Sequence, residues 1–359
     1  MKKKIIDILK YAAAFAAAAA LLYFSFRGIA WEDFAAALLG CRLEWVAVSM
    51  TAGLSILFVR GLRWKMLLEP IDPSTRVRTT FNAINICMGV NLALPRVGEL
   101  VRIGFITRRS ARGEDGKPLA SYDKVLGSVV GERVWDVASV AILSLVIIPL
   151  MWGKAGAFFR DSIFSGNSRL GGLWVLVLAL GALAGTLLLV RRCRSNRICG
   201  KIWGFCAGIW NGLKESLKLR RGGLFVVYTV LIWLLYWITS WTILLALQGM
   251  DPAGLSPEMA ETVARIQTMN GWDALFLMLA GALSSIIPVP GGFGAFHSIV
   301  ALALLTVYGV PFSFGLIFAT LSHESEALIY LGTSLLSFLD ETIRRPADPP
   351  LREDCPKAE

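Results

Sequence analysis

The chain has few of the residues that most soluble chemistry uses. Its only histidines are His297 and His323, too far apart in sequence to form a metal motif. Its six cysteines, Cys41, Cys87, Cys193, Cys199, Cys206 and Cys355, contain no Cys-x-x-Cys spacing. Neither a zinc site nor a disulfide framework is expected. The sequence also lacks a Gly-x-Ser-x-Gly elbow, a His-Glu-x-x-His pair, a phosphate loop and a dinucleotide fingerprint. With charged residues at 17% of the chain and no sizeable polar domain, no enzymatic activity and no cofactor are expected.

What is abundant is apolar side chain. The composition is 55% hydrophobic over 359 residues with a mean hydropathy of +0.61, more than a soluble core absorbs. Crossing roughly 30 Å of hydrocarbon takes about 20 helical residues. Six stretches read as full spans: Ile8 to Phe26, Leu43 to Val59, Val125 to Leu150, Gly172 to Val190, Leu224 to Leu247 and Pro311 to Leu339. The first follows Lys2, Lys3 and Lys4 without a small-residue cleavage site, so it reads as an uncleaved span.

The basic residues orient the chain. Of 36 Lys and Arg, 28 fall in segments on one side of this topology, including Arg60 to Arg78, Arg102 to Lys124 and Arg191 to Arg221. Six fall on the other side, and Arg96 and Arg133 lie at membrane depth. The positive-inside tendency places both termini in the cytoplasm of a bacterial-type inner membrane. The net charge of +10 is therefore directed at anionic head groups rather than nucleic acid.

Two apolar stretches are broken by proline and glycine. Residues 79–109 break at Leu94-Pro95-Arg96-Val97-Gly98, and residues 272–310 break at Pro288-Val289-Pro290-Gly291-Gly292-Phe293-Gly294. The flanking charges make the first a re-entrant hairpin from the cytoplasm and the second one from the outside. Glu132 follows Pro95 by 37 residues, and His323-Glu324 follows Pro288 by 35 to 36. Opposed hairpins with this echo fit an inverted-topology repeat. The fold class expected is an all-α integral membrane protein, with a transmembrane unit over residues 1–341, an interfacial amphipathic helix at 197–221 and a polar tail at 342–359.

Ionisable residues at membrane depth are costly and mark candidate sites. Arg96, at the start of the returning half-helix, suits a phosphate group, or else pairs with Glu99. Glu99 and Arg102, three apart, suit an ion pair. Glu132 and Asp136 share a helix face, able to bind an amine or a proton, or to neutralise Arg133 and Arg96. Pro95, Gly98, Pro290, Gly291, Gly292 and Gly294 free the backbone for close approach by a ligand or by the other hairpin. His323 beside Glu324 suits proton transfer, or a satisfied polar contact; His297 and Glu326 lie on the same half.

The sequences Arg60-Gly61-Leu62-Arg63-Trp64, Leu94-Pro95-Arg96-Val97-Gly98-Glu99-Leu100-Val101-Arg102, Gly131-Glu132-Arg133 with Trp135-Asp136, and Pro290-Gly291-Gly292-Phe293-Gly294, in that order, resemble the lysylphosphatidylglycerol synthase transmembrane region family, also called flippase-like domain proteins. The resemblance runs from about Tyr11 to Leu339. It implies translocation of a phospholipid or another lipid with a charged head group, with Arg96, Glu99, Arg102, Glu132 and Arg133 as the positions carried over. In the best-known members this region is fused to a soluble aminoacyltransferase. Here the chain ends 20 residues after Leu339, so synthase activity is expected to be absent. The partners implied are a membrane lipid as substrate, and a second copy of the chain or a lipid synthase. The alternative is a non-transporting accessory role in envelope lipid or polysaccharide synthesis.

Overall fold

The computed structural model describes residues 2–27, 29–114, 116–163, 221–251 and 256–343. Among these the ordered elements are helical: α1 (Lys2–Phe26), α2 (Trp31–Gly40), α3 (Leu43–Leu68), α4 (Val77–Ala93), α5 (Val97–Arg109), α6 (Tyr122–Ile163), α7 (Gly222–Gln248), α8 (Pro257–Gln267), α9 (Gly271–Ser284), α10 (Ala295–Tyr308) and α11 (Phe312–Ile343). A single 3-10 turn covers Pro290–Gly292. The expected span at Gly172 to Val190, the amphipathic helix at 197–221 (bar Arg221) and the tail beyond Ile343 lie outside the described residues.

Four of the described helical segments are long and apolar enough to cross a membrane: α3, Tyr122–Met151 of α6, α7, and Pro290–Tyr308. Ala14–Phe26 and α9 are apolar but shorter. The limbs of the second hairpin are thus unequal. α9 has 14 residues, whereas the Pro290–Tyr308 limb has 19. The helix begun at Leu43 does not stop at Val59 either. It runs to Leu68, which takes Arg60 and Arg63 out of the expected loop and into the bundle.

Beside a buried apolar core, the described residues also bury charge and expose large apolar side chains. Arg63, Arg102 and Glu132 are fully buried, while Leu336 is 67% and Val137 62% exposed. With hydrocarbon as solvent, apolar side chains gain nothing by hiding, and charge must face charge inside. Exposed Val227, Val230 and Leu234 on α7 and Leu328, Leu331 and Leu335 on α11 form stripes at helical spacing that suit lipid contact.

Each hairpin is a pair of packed helices with a broken tip. Between α4 and α5 the tip is Leu94-Pro95-Arg96, where proline removes a donor and Arg96 takes φ 64°, in the left-handed region. Gly98 permits the limbs to close. A Cβ there would stand 2.2 Å from the Cys87 carbonyl oxygen and 2.7 Å from Asn91 Oδ1. Asn91 Oδ1 instead accepts the Gly98 amide at 2.8 Å, capping α5. In the second hairpin, α9 opens on a capping box made by Asn270 and Asp273. Its tip passes through Gly291, Gly292 and Gly294, all at positive φ. α1 crosses that tip so closely that a Cβ on Gly294 would lie 2.6 Å from Leu21 Cβ.

The helices around the hairpins pack reciprocally. α3 lies along α7, α4 of the first hairpin packs on α11, and α9 of the second packs on α6. At one end of the bundle Asp72, 1% exposed, accepts from Ser74 N and Oγ, from Ser110 Oγ at 2.7 Å and from Ala111 N at 3.0 Å. It thereby fixes the loops that flank the first hairpin. Nearby, Arg78 and Arg109 pair with Asp340 and Glu341 on the last turns of α11.

Candidate functional site

The charged centre is assembled by three helices. Arg60 and Arg63 sit one turn apart on α3, Arg102 faces them from α5, and Glu132 and Asp136 occupy adjacent turns of α6. Glu132 is fully buried. It accepts from Arg60 at 3.0 Å and Arg63 at 3.5 Å through Oε1, and from Arg102 at 2.9 Å through Oε2. Asp136 accepts from Arg63 at 2.7 Å and from Arg133 at 3.5 Å.

Aromatic faces complete the enclosure. The Arg102 guanidinium lies over the Trp64 ring, 4.6 Å from its centroid, and Arg63 lies 5.8 Å from that of Phe225. Trp64 is itself held by donation from Nε1 to Ser128 Oγ at 3.1 Å. The network is nevertheless short of acceptors. Among the described residues, Arg60 Nε, Arg63 Nε, and both Nε and Nη2 of Arg102 are buried without a partner. Four guanidinium groups, those of Arg60, Arg63, Arg102 and Arg133, face the carboxylates of Glu132, Asp136 and Glu99. The centre is positive, with donors to spare.

The ion pair expected between Glu99 and Arg102 does not form. α5 turns Arg102 inward onto Glu132, whereas Glu99 reaches Arg133 on α6 at 3.4 Å and Asn91 Nδ2 at 3.3 Å. Arg96 does not pair with Glu99 either. It occupies the N-cap position of α5 without a side-chain capping bond, exposed, and among the described residues it has no ion-pair partner. Arg96 and the 42%-exposed side chain of Arg133 are thus accessible, while Arg63 and Arg102 are sealed.

A second polar group lies under the tip of the other hairpin. His323 Nε2 donates to the Gly291 carbonyl at 2.8 Å, and His323 Nδ1 lies 3.3 Å from Glu324 Oε2. His297, 1% exposed on α10, meets Glu324 Oε1 through Nε2 at 3.0 Å. The fold therefore closes the sequence gap between the two histidines: His297, His323 and Glu324 each offer a ligand atom within 4.8 Å of the others. Gly291 is also where the two hairpins meet, since a Cβ there would stand 3.3 Å from the Leu92 carbonyl oxygen. Glu326 points elsewhere, accepting from Tyr330 Oη at 3.2 Å.

Sequence reasoning missed Arg60 and Arg63 by counting them as loop charges. Their three-residue spacing, directly continuing an apolar helical run, was the available signal. It also missed that the two histidines converge, because only the fold of the second hairpin juxtaposes α10 and α11.

Buried charge, apolar exterior and several helices of membrane-spanning length define a multi-pass membrane protein. The chain belongs to the family described as the lysylphosphatidylglycerol synthase TM region, whose model matches residues 11–331 of 359. No curated protein and no solved structure matches the chain. It is thus a membrane-embedded protein of a lipid-related family.

Proposed function

We propose that the protein translocates a phospholipid, or another lipid with an anionic phosphate in its head group, between the leaflets of a bacterial cytoplasmic membrane. The observation that carries this reading is the arginine-rich centre between α3, α5 and α6, with buried donors that lack acceptors and two accessible guanidinium groups, Arg96 and Arg133, at its margin. Arginine presents parallel donors that match phosphate oxygens and remains charged at any relevant pH. An exposed arginine at membrane depth is stable only where it meets an anion or water. Lipid phosphate supplies the anion while the acyl chains stay in the bilayer.

The reciprocal packing supports an inverted repeat. The unit α3, first hairpin, α6 exchanges partners with the unit α7, second hairpin, α11, so that each hairpin's first limb rests on the other unit's long helix. In this reading the hairpins are re-entrant from opposite faces, both termini are cytoplasmic, and one unit moves against the other around the contact between Gly291 and Leu92. The protein acts as a carrier and not as an enzyme.

The reading is tested by reconstituting the purified protein into liposomes with head-group-labelled lipids, anionic and zwitterionic, and following loss of signal to an impermeant quencher. Faster translocation than in protein-free liposomes is expected. Folded protein that moves no lipid in the panel overturns the reading and leaves the accessory role.

A further inference from the structure

We propose that His297, His323 and Glu324 form a binding site for a divalent transition-metal ion of the zinc class. Two imidazole nitrogens and a carboxylate oxygen are a common zinc ligand set, and such an ion holds its ligand atoms at about 2.0–2.2 Å from itself. Here the carboxylate already stands between the two rings, 3.0 Å from His297 Nε2 and 3.3 Å from His323 Nδ1. All three ligand atoms lie within 4.8 Å of one another, so small side-chain rotations bring them onto one ion.

The hydrogen bonding of His323 points to a cation. A backbone carbonyl only accepts, so the 2.8 Å contact with Gly291 O places the hydrogen on His323 Nε2. In the neutral ring Nδ1 then carries a lone pair, and that lone pair faces the Glu324 carboxylate. Two acceptors this close need a proton or a metal ion between them. Donation of the second ring N–H to a carbonyl is also how metal-ligating histidines are usually oriented.

His297 supplies an independent observation. It is 1% exposed, its one side-chain polar contact is Nε2 to the Glu324 carboxylate at 3.0 Å, and its Nδ1 has no partner among the described residues. The rings of Phe26, Phe293 and Phe296 surround the two histidines, with Phe293 4.9 Å and Phe296 5.2 Å from His323. This apolar shell limits water and strengthens ion–ligand attraction. Glu324, with 37% of its side chain exposed, is the accessible edge, where water or another ligand completes the coordination. A bound ion joins α10 to α11 and, through His323, to the Pro290–Gly292 turn, fixing the tip that meets the first hairpin.

The test uses the full chain in detergent, equilibrated with zinc ion and desalted, with metal content measured by mass spectrometry. Wild-type protein is expected to retain one zinc per chain, and His297→Gln, His323→Gln and Glu324→Gln to lose it. Glu326→Gln, whose carboxylate bonds Tyr330 instead, retains it. Cobalt in place of zinc should give the visible absorption of a low-symmetry nitrogen and oxygen site, abolished in the same three variants. Should those variants fail to fold, wild type decides: zinc raises its melting temperature and a chelator reverses the rise. Folded wild type that retains no metal and shows no shift overturns the proposal and leaves a proton between His323 and Glu324. Retention unaffected by all three changes marks an adventitious ion only and equally overturns it. Metal content is read without lipid transport, so failure here is distinct from failure of the translocation reading.

Discussion

Arg102 and Glu132 form a fully buried ion pair at 2.9 Å that ties the returning limb of the first hairpin to α6. Glu132 is the shared acceptor of three guanidinium groups, and its removal strands the buried charges of Arg60 and Arg102, while Arg63 keeps Asp136 at 2.7 Å. Glu132→Gln is expected to cost about 3–5 kcal/mol, the usual range when one partner of a buried pair is deleted. Thermal unfolding in detergent, followed by tryptophan fluorescence, checks this. A melting temperature equal to wild type would mean that the arginines are neutralised elsewhere.

Two glycines should respond in opposite directions to alanine. At Gly98 the added methyl meets backbone, the Cys87 carbonyl, and the limbs of the hairpin must part. Overpacking of this kind costs about 1–3 kcal/mol. At Gly131, inside α6, nothing lies within 4 Å of the added Cβ. Gly131→Ala should leave stability unchanged or raise it by up to about 1 kcal/mol, the helix-propensity difference. The same unfolding measurement ranks them, and the account needs Gly98→Ala below wild type and Gly131→Ala at or above it.

The docking of α1 onto the second hairpin can be tested covalently. Ser25 and Ser298 place their hydroxyl oxygens 2.7 Å apart, close enough for a disulfide after modest rotamer adjustment. Ser25→Cys with Ser298→Cys, in a background cleared of the native cysteines, should cross-link within one chain under mild oxidation. The readout is retained linkage after proteolytic cleavage between the two positions. Failure to cross-link would place α1 elsewhere.

Much of this arrangement was legible in the sequence, for identifiable reasons. Membrane residence follows from long apolar runs, and both hairpin breaks follow from Pro95 and the Pro290-Gly291-Gly292 turn, because proline and glycine act locally. Glu132 and Asp136 were readable as one face because a four-residue spacing fixes direction within a helix. The pairing of Arg60, Arg63 and Arg102 was not readable. It depends on where α3 stops and which helix lies opposite, and neither is a local property. The same holds for His297 and His323, which are brought together by the packing of α10 on α11.

Asp72 offers a check on the loops that hold the first hairpin. Its carboxylate takes hydrogen bonds from Ser74, Ser110 and Ala111, and Ser110 Oγ in turn accepts the Ala120 amide at 2.8 Å. Hydrogen bonds to a charged group contribute about 1.5–3 kcal/mol, so Asp72→Ala should loosen the segment locally. Faster amide hydrogen exchange is expected at residues 110–120, with α7 unaffected. Exchange spread evenly over the bundle would contradict a local role.

The most direct test of the central claim is Arg96→Gly in the liposome translocation assay, beside its melting temperature. Arg96 sits at φ 64°, a conformation that costs an ordinary residue roughly 1–2 kcal/mol and glycine almost nothing. The substitution therefore relieves the backbone while removing the accessible guanidinium. The account predicts a melting temperature at or above wild type together with loss of lipid translocation. Unchanged translocation by an equally stable variant would contradict it.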